Sequence, residues 1–298
     1  MYDIIIIGAG PAGLTAAVYA KRAGKNVLVI EKGTFGGQIT YSPRVENIPG
    51  FISLTGNEFA EKLVEQALNL GAEIECAEVL EIRNGSVKTV VTDSGEFEGK
   101  AVIVATGAKH RMLGVEGEEK FVGEGISFCA VCDGAFYEGK DVAVIGGGNS
   151  ALQEAILLSE TSKKVYLVQN LDFITGEKTL YDKLLEKNNV EVVLGATVDS
   201  FVGDNTLSGI VINTIDGKKT LDVDGIFVAI GLVPQNEAFA NVLKLDERGY
   251  ADCTEDCVTG TDGVFVAGDC RQKKIRQVAT AASDGAVAAL AACSFLDR

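Results

Sequence analysis

Short apolar runs alternate along the chain with amphipathic or alanine-rich stretches. Residues 2–7 are a continuous apolar run rich in isoleucine, residues 14–23 an alanine-rich segment, and residues 26–30 a second apolar run that stops at Glu31. Runs of this length without alternation fit strands buried on both faces of a parallel sheet. Residues 56–70 carry apolar positions at helical spacing and predict an amphipathic helix. Strand-like segments then lead to Val104, where Ala105-Thr106-Gly107 closes an apolar strand with a tight turn. The opening theme returns later: 141–145 predicts a strand, 152–159 a helix and 164–168 the next strand. Residues 190–230 are strand-rich, 263–267 is a short apolar run, and an alanine-rich helix is predicted from 277 to about 296.

The first strand and helix are joined by Gly8-Ala9-Gly10-Pro11-Ala12-Gly13. Gly8 permits the tight turn, Gly10 lets the backbone approach a pyrophosphate, and Gly13 lets helix and strand pack closely. The helix N-terminus faces the phosphates, and Glu31 stands where it accepts from a ribose hydroxyl. Strand, glycine turn, helix, strand and acidic residue together predict dinucleotide binding. A second turn, residues 146–151, repeats this plan but does not declare a ligand. After its following strand come Gln169, Asn170, Leu171, Phe173, Ile174 and Thr175, with Asp172 the only charge. An NAD site wants an acid at that strand end, and an NADP site wants arginines. The fold class is therefore α/β, with two Rossmann-like domains of three-layer ββα type, the second inserted into the first. Residues 1–110 and 234–298 form the discontinuous outer domain and 111–233 the inserted one, with joints near 109–119 and 231–236. The loop at 35–50, with Gly36, Gly37, Pro43, Pro49 and Gly50, is long enough to be functional.

The chemistry centres on Ser127–Asp133. Cys129 and Cys132 are spaced to open and close a disulfide, a spacing that lowers the pKa of the attacking thiol. Asp133 follows at once and can carry a proton to or from a thiolate. A redox dithiol between two dinucleotide-type turns points to flavin disulfide reductase chemistry.

Composition narrows the setting. The 298 residues, 47% hydrophobic and 23% charged, fit a globular protein of two ordinary domains or one large α/β domain. A net charge of −15 argues against nucleic-acid and anionic-membrane partners. The apolar run beginning at residue 4 leaves no room for a signal peptide, and no stretch is expected to approach the ~20 apolar residues of a membrane span. Seven cysteines, an odd number, do not form a secreted disulfide framework, so a cytoplasmic location is expected. Cys253 and Cys257 can complete a zinc site with Cys129 and Cys132 only at a poor spacing, with His110 the sole histidine, so no metal is expected. Nothing in the surrounding sequence supports Cys253 and Cys257 as a second redox pair. Cys76, Cys270 and Cys293 are expected to be structural, and His110 part of a hinge.

With these pieces in place, the chain resembles the low-molecular-weight flavin thioredoxin reductases over essentially its full length. The shared segments are residues 8–13, Gly36-Gly37-Gln38, Val45-Glu46-Asn47, Ala105-Thr106-Gly107, Cys129-Ala130-Val131-Cys132-Asp133, Gly268-Asp269 and Arg276-Gln277. The resemblance implies a non-covalent FAD held by the outer domain and a redox-active cysteine pair on the inserted one. Gly37, Gln38, Asn47, Val79, Ala105, Thr106, Gly107, Gly268, Asp269, Gln277 and Val278 would line the FAD beside Gly8, Gly10, Pro11, Ala12, Gly13 and Glu31. Cys132 would be the thiol nearest the flavin, Cys129 the one exchanging with thioredoxin, and Asp133 the acid/base group. A homodimer and a rotation between domains are also implied, since one cysteine pair cannot face a buried flavin and a bulky protein at once.

One departure matters. Typical members read His-Arg-Arg, with a further Arg four residues on, at the positions of Gln169, Asn170, Leu171 and Thr175. With that phosphate-binding charge gone, the chain is most similar to the ferredoxin-dependent flavin thioredoxin reductases. Plant-type ferredoxins sit near roughly −400 mV and thioredoxin near about −270 mV, a two-electron drop on the order of 6 kcal/mol. The basic run 271–276 stands out in an acidic chain, and Arg271, Lys273 and Lys274 are expected to help dock an acidic ferredoxin. The rival readings are an NAD(P)H-dependent reductase with an atypical phosphate site, and a flavin-bound redox sensor or binding module without turnover. A dithiol oxidase passing electrons to oxygen is a further enzymatic possibility.

Overall fold

Ile4, Ile5 and Ile6 are fully buried, as expected of a strand with neighbours on both sides and layers on both faces. The computed structural model describes every residue except Pro43, one of the two prolines of the loop at 35–50. The chain divides into two compact units, Met1–Lys109 with Val233–Arg298, and His110–Leu232.

In the first unit, Tyr2–Ile7 pairs in parallel with Val27–Glu31 on one side and Glu96–Val104 on the other, with Ile4 opposite Val27 and Ala101. Glu73–Cys76 and Val264–Val266 extend this parallel sheet. Lys88–Thr92 and Val79–Arg83 continue it as an antiparallel meander from Glu96–Val104. Helices Pro11–Arg22 and Val278–Leu296 cover the face carrying Ile4, Ile6, Val27 and Val29. The opposite face, with Ile5, Ile7, Leu28 and Ile30, packs on Ile82 and Val90 of the meander and on Phe239, Val242 and Leu243. These are the three ββα layers.

Val278–Leu296 is long and apolar enough, by length and composition alone, to cross a membrane. This corrects the expectation that no stretch would be. Here its Ala281, Ala288, Ala289 and Ala292 lie in the core, and a Cβ at Gly285 would overlap the Ala12 carbonyl oxygen. Small residues let the two helix backbones approach closely, and that approach fixes the helix that carries the first glycine turn.

The second unit repeats the plan. Its five-stranded parallel sheet runs Val190–Val193, Lys164–Val168, Asp141–Ile145, Gly225–Val228 and Ile126–Ser127. Asn149–Ser159 and Lys178–Leu185 cover one face, and the meander Thr197–Gly203, Leu207–Thr214 and Gly217–Asp222 covers the other. Each parallel sheet ends its central strand at a glycine turn.

Candidate functional site

At the first turn Gly8 has φ +104°, a conformation that favours glycine, and a Cβ there would collide with the Ala105 carbonyl oxygen. A Cβ at Gly13 would overlap the Gly8 carbonyl oxygen. Around Gly10 the space is open, the nearest atom to a Cβ being Gly36 O at 3.9 Å. Pro11 opens the helix, where its missing N–H costs nothing and its fixed φ suits the first turn. The result is a bare backbone cradle at a helix N-terminus, suited to a pyrophosphate. Glu31 braces it: one carboxylate oxygen accepts from Ala9 N at 2.8 Å, the other from Gly33 N at 2.8 Å. Gly37 lies against Gly10, and a Cβ at Gly268 would come to 2.8 Å of the Ala12 Cβ.

The remaining flavin candidates fall into three groups. Ala105 N donates to Ile7 O at 2.8 Å, ending the strand beside the cradle. Thr106 Oγ1 donates to Asn236 Oδ1 at 3.2 Å, Gly107 follows with φ +69°, and the Gln38 amide donates to Ala108 O. Asn47 Nδ2 donates to Gln277 Oε1 at 3.2 Å, and Gln277 caps the last helix with Thr280, so Asn47, Gln277 and Val278 come together. Val79 starts the meander two residues beyond Ala77, whose N–H binds Glu31 O. Asp269 is half-buried, and its buried Oδ1 hydrogen-bonds to none of the described residues.

In the other unit Cys129 and Cys132 form a disulfide, with Cα atoms 5.3 Å apart, across the single helical turn Ala130–Asp133. Cys132 N lies 3.2 Å from Cys129 Sγ and donates to it, placing a dipole where negative charge on that sulfur is stabilised. Ala130 is buried against Asn149–Ser159, which leaves Val131 64% exposed at the edge of the pair. Ser127 links the groups: its hydroxyl donates to Asp133 Oδ2 at 2.6 Å and accepts from Cys129 N at 3.1 Å. Asp133 Oδ1 is buried without a hydrogen-bond partner. Burial pushes the Asp133 carboxyl up, against the opposing pull of Ser127. His110 stacks on Phe128 at 4.6 Å, and burial holds it down to about 4, so it is neutral at physiological pH.

The second turn is latched by its own chain. Thr175 N and Gly176 N donate to Gly147 O at 3.0 and 2.9 Å, and Thr175 Oγ1 adds a third bond at 3.1 Å. Glu177 N donates to Asn149 Oδ1 at 2.7 Å while Asn149 Nδ2 donates back to Glu177 Oε1 at 2.9 Å. A Cβ at Gly176 would stand 3.1 Å from Asn149 N, the start of the helix. Gln169 is buried with its side chain against Gly147. The Glu177 carboxylate thus sits against the side chain of Asn149, the first residue of this helix, and Lys178, the next cation, is paired with Asp182.

Residues 2–285 match the family described as pyridine nucleotide-disulphide oxidoreductase. A thioredoxin reductase of Listeria monocytogenes is 40% identical over 302 residues, covering 100% of this chain and 95% of that protein. The 34.2 kDa protein in rubredoxin operon of Clostridium pasteurianum is 41% identical, covering 99% of this chain and 97% of that one. The crystal structure of thioredoxin reductase from Streptococcus pyogenes superposes with a TM-score of 0.95 at 38% identity, covering 100% and 98% of the two chains. The chain belongs to the thioredoxin reductase family.

As a member of that family it binds FAD. The first unit fits the cofactor on two counts: the open cradle at Gly10, into which a Cβ there would project with nothing nearer than Gly36 O at 3.9 Å, and the buried Asp269 Oδ1, hydrogen-bonded to none of the described residues. The basic run does not fit its predicted docking role. Arg271 is 4% exposed, with Nε and Nη2 at 2.9 and 3.0 Å from the Asp284 carboxylate. Lys273 Nζ is 2.8 Å from the same group. Both are inside the protein because Asp284 draws them in, so of the three predicted residues only Lys274 is exposed. Ser127, Asn236 and Asp284 are the site residues that sequence reasoning missed. Asp284 left one signal, a lone acid in an alanine-rich helix.

Proposed function

We propose that the protein reduces the disulfide of thioredoxin, or of a similar small protein, through Cys129 and Cys132, with reduced ferredoxin as electron donor. The observation that carries this reading is the Cys129–Cys132 disulfide beside Asp133, in a unit whose nucleotide-type turn is latched by Gly176 and Glu177. Bound FAD supplies the conversion between single electrons from the donor and the electron pair a disulfide takes up. Residues 8–13, Glu31, Asp269 and Gln277 would hold it in the first unit. Opening the disulfide takes two electrons and leaves two thiolates. Asp133, whose carboxyl is pushed up by burial, is placed to hand a proton to one of them. Cys129 Sγ attacks the partner's disulfide and forms a mixed disulfide. Cys132 Sγ then attacks Cys129 Sγ, which restores the internal disulfide and releases the partner as a dithiol. Alternation of the pair between flavin and partner requires rotation at the crossings near 109–119 and 231–236. The family likeness supports a homodimer, and the uneven cysteine count supports a cytoplasmic setting.

A second reading, NAD(P)H as donor, is favoured by the family match and the surviving glycines of the second turn. Steady-state assays separate the two. Thioredoxin should gain thiols with reduced ferredoxin and not with NADPH, and Cys129→Ser should abolish that gain. Native turnover by Cys129→Ser would remove the dithiol route. Equal rates with NADPH would replace the donor.

A further inference from the structure

Asp269 lies beside a group of buried charges that the redox chemistry does not use. Asp284, from the last helix, accepts the Arg271 fork at 2.9 and 3.0 Å, Lys273 Nζ at 2.8 Å and Gly268 N at 3.1 Å. Asp284 is thus tied to the turn Gly268–Cys270 through a backbone amide as well as through two cations. Arg276 completes the frame: it donates to Asp269 O at 3.3 Å and to Arg271 O at 3.4 Å, with its guanidinium over the Tyr250 ring at 4.2 Å.

The charges do not balance within the pair. Arg271 and Lys273 bring two positive charges to one Asp284 carboxylate, and buried charges demand compensation. Two further carboxylates stand near: the exposed Glu255, its Oε2 3.7 Å from Arg271 Nη2, and Asp269, whose Oδ1 is 3.9 Å from Lys273 Nζ and hydrogen-bonds to none of the described residues. Glu255 is open to water, which screens it, so Asp269 is the further carboxylate that faces Lys273 on the protein side. Burial leaves the Asp269 carboxyl raised, with Lys273 and then Arg276 pulling against that rise. Burial alone would also raise Asp284, but its bonds to Arg271 and Lys273 outweigh that and hold it below the usual carboxylate range.

We infer that Lys273, anchored by Asp284 and Arg271, is a positioning residue of the flavin site: it holds Asp269 charged and aimed so that its free oxygen accepts from a hydroxyl of bound FAD. The inference rests on the assignment of Asp269 to the cofactor. It gives the basic run an internal task in place of partner docking.

The test is the dissociation constant of FAD for apoprotein variants, read by flavin fluorescence, with apoprotein melting measured separately. Lys273→Met keeps the Arg271–Asp284 pair and so should fold. It should weaken FAD binding about tenfold, Lys273→Arg should stay within about threefold of native, and Asp269→Ala should lose at least as much as Lys273→Met. In the Asp269→Ala background, Lys273→Met should add nothing, because its only route to the cofactor is gone. Native affinity in Lys273→Met, or two losses that simply multiply, would overturn the inference while leaving Asp269 at the flavin. Native affinity in Asp269→Ala would overturn the assignment of Asp269 and the inference with it.

Discussion

Asp133 serves a thiolate only while it still has a proton to give. Burial raises its carboxyl, and Ser127 orients one oxygen while the other stays without a hydrogen bond. Asp133→Asn keeps the shape and removes the proton, so transfer from the dithiol to thioredoxin should slow by roughly 10²-fold, with little pH dependence left on the alkaline side. The sign for stability is opposite. A buried carboxyl with a raised pKa destabilises the fold above that pKa, and this penalty vanishes below the ordinary aspartate value. The asparagine variant should therefore melt at the same or a higher temperature at neutral pH; a clear drop in melting temperature would make Asp133 structural. At this scale the sequence was readable where partners are close in the chain. Cys129, Cys132 and Asp133 sit within five residues, while Asp284 meets Arg271 and Lys273 only through the packing of the last helix.

The helix Asn149–Ser159 holds the sharpest prediction for a single element. Glu154 is half-buried, its buried Oε2 hydrogen-bonds to none of the described residues, and burial pushes it up to about 8. The folded chain keeps this proton up to about pH 8, whereas the unfolded chain releases it near 4.5, so stability should fall as pH rises between those values. Glu154→Gln should flatten that slope and gain on the order of 2–4 kcal/mol at pH 9 relative to pH 5. Urea unfolding of both proteins across that range measures it, and an unchanged slope would refute the assignment. Strands and turns were legible because apolar runs and glycines act locally: Tyr2–Ile7, Asp141–Ile145 and Lys164–Val168 lie where the pattern puts them. The helices begin earlier than their apolar stretches, at Pro11 and Asn149, because each glycine turn already belongs to the first helical turn. The latch of Thr175, Gly176 and Glu177 on the second turn was not legible, since it depends on a loop folding back across a sheet edge.

For the whole molecule the question is where electrons enter. The duplicated plan gives two glycine turns on two parallel sheets, but only the first is an open cradle with a bracing carboxylate. The second keeps its glycines for packing: a Cβ at Gly146 would stand 2.5 Å from Ala229 O. The loss of arginines, plain in the sequence, and the latch, visible only in the fold, both bear on the donor. A net charge of −15 with Arg271 and Lys273 internalised means that an acidic donor must dock on other cations, Lys274 among them. The most direct test is an anaerobic titration of the FAD-loaded protein, followed by bleaching of the flavin visible band. NADPH, NADH and reduced ferredoxin are added to separate samples. Prompt bleaching with ferredoxin and none with either nucleotide is expected, whereas rapid bleaching by NADPH would contradict ferredoxin as the donor.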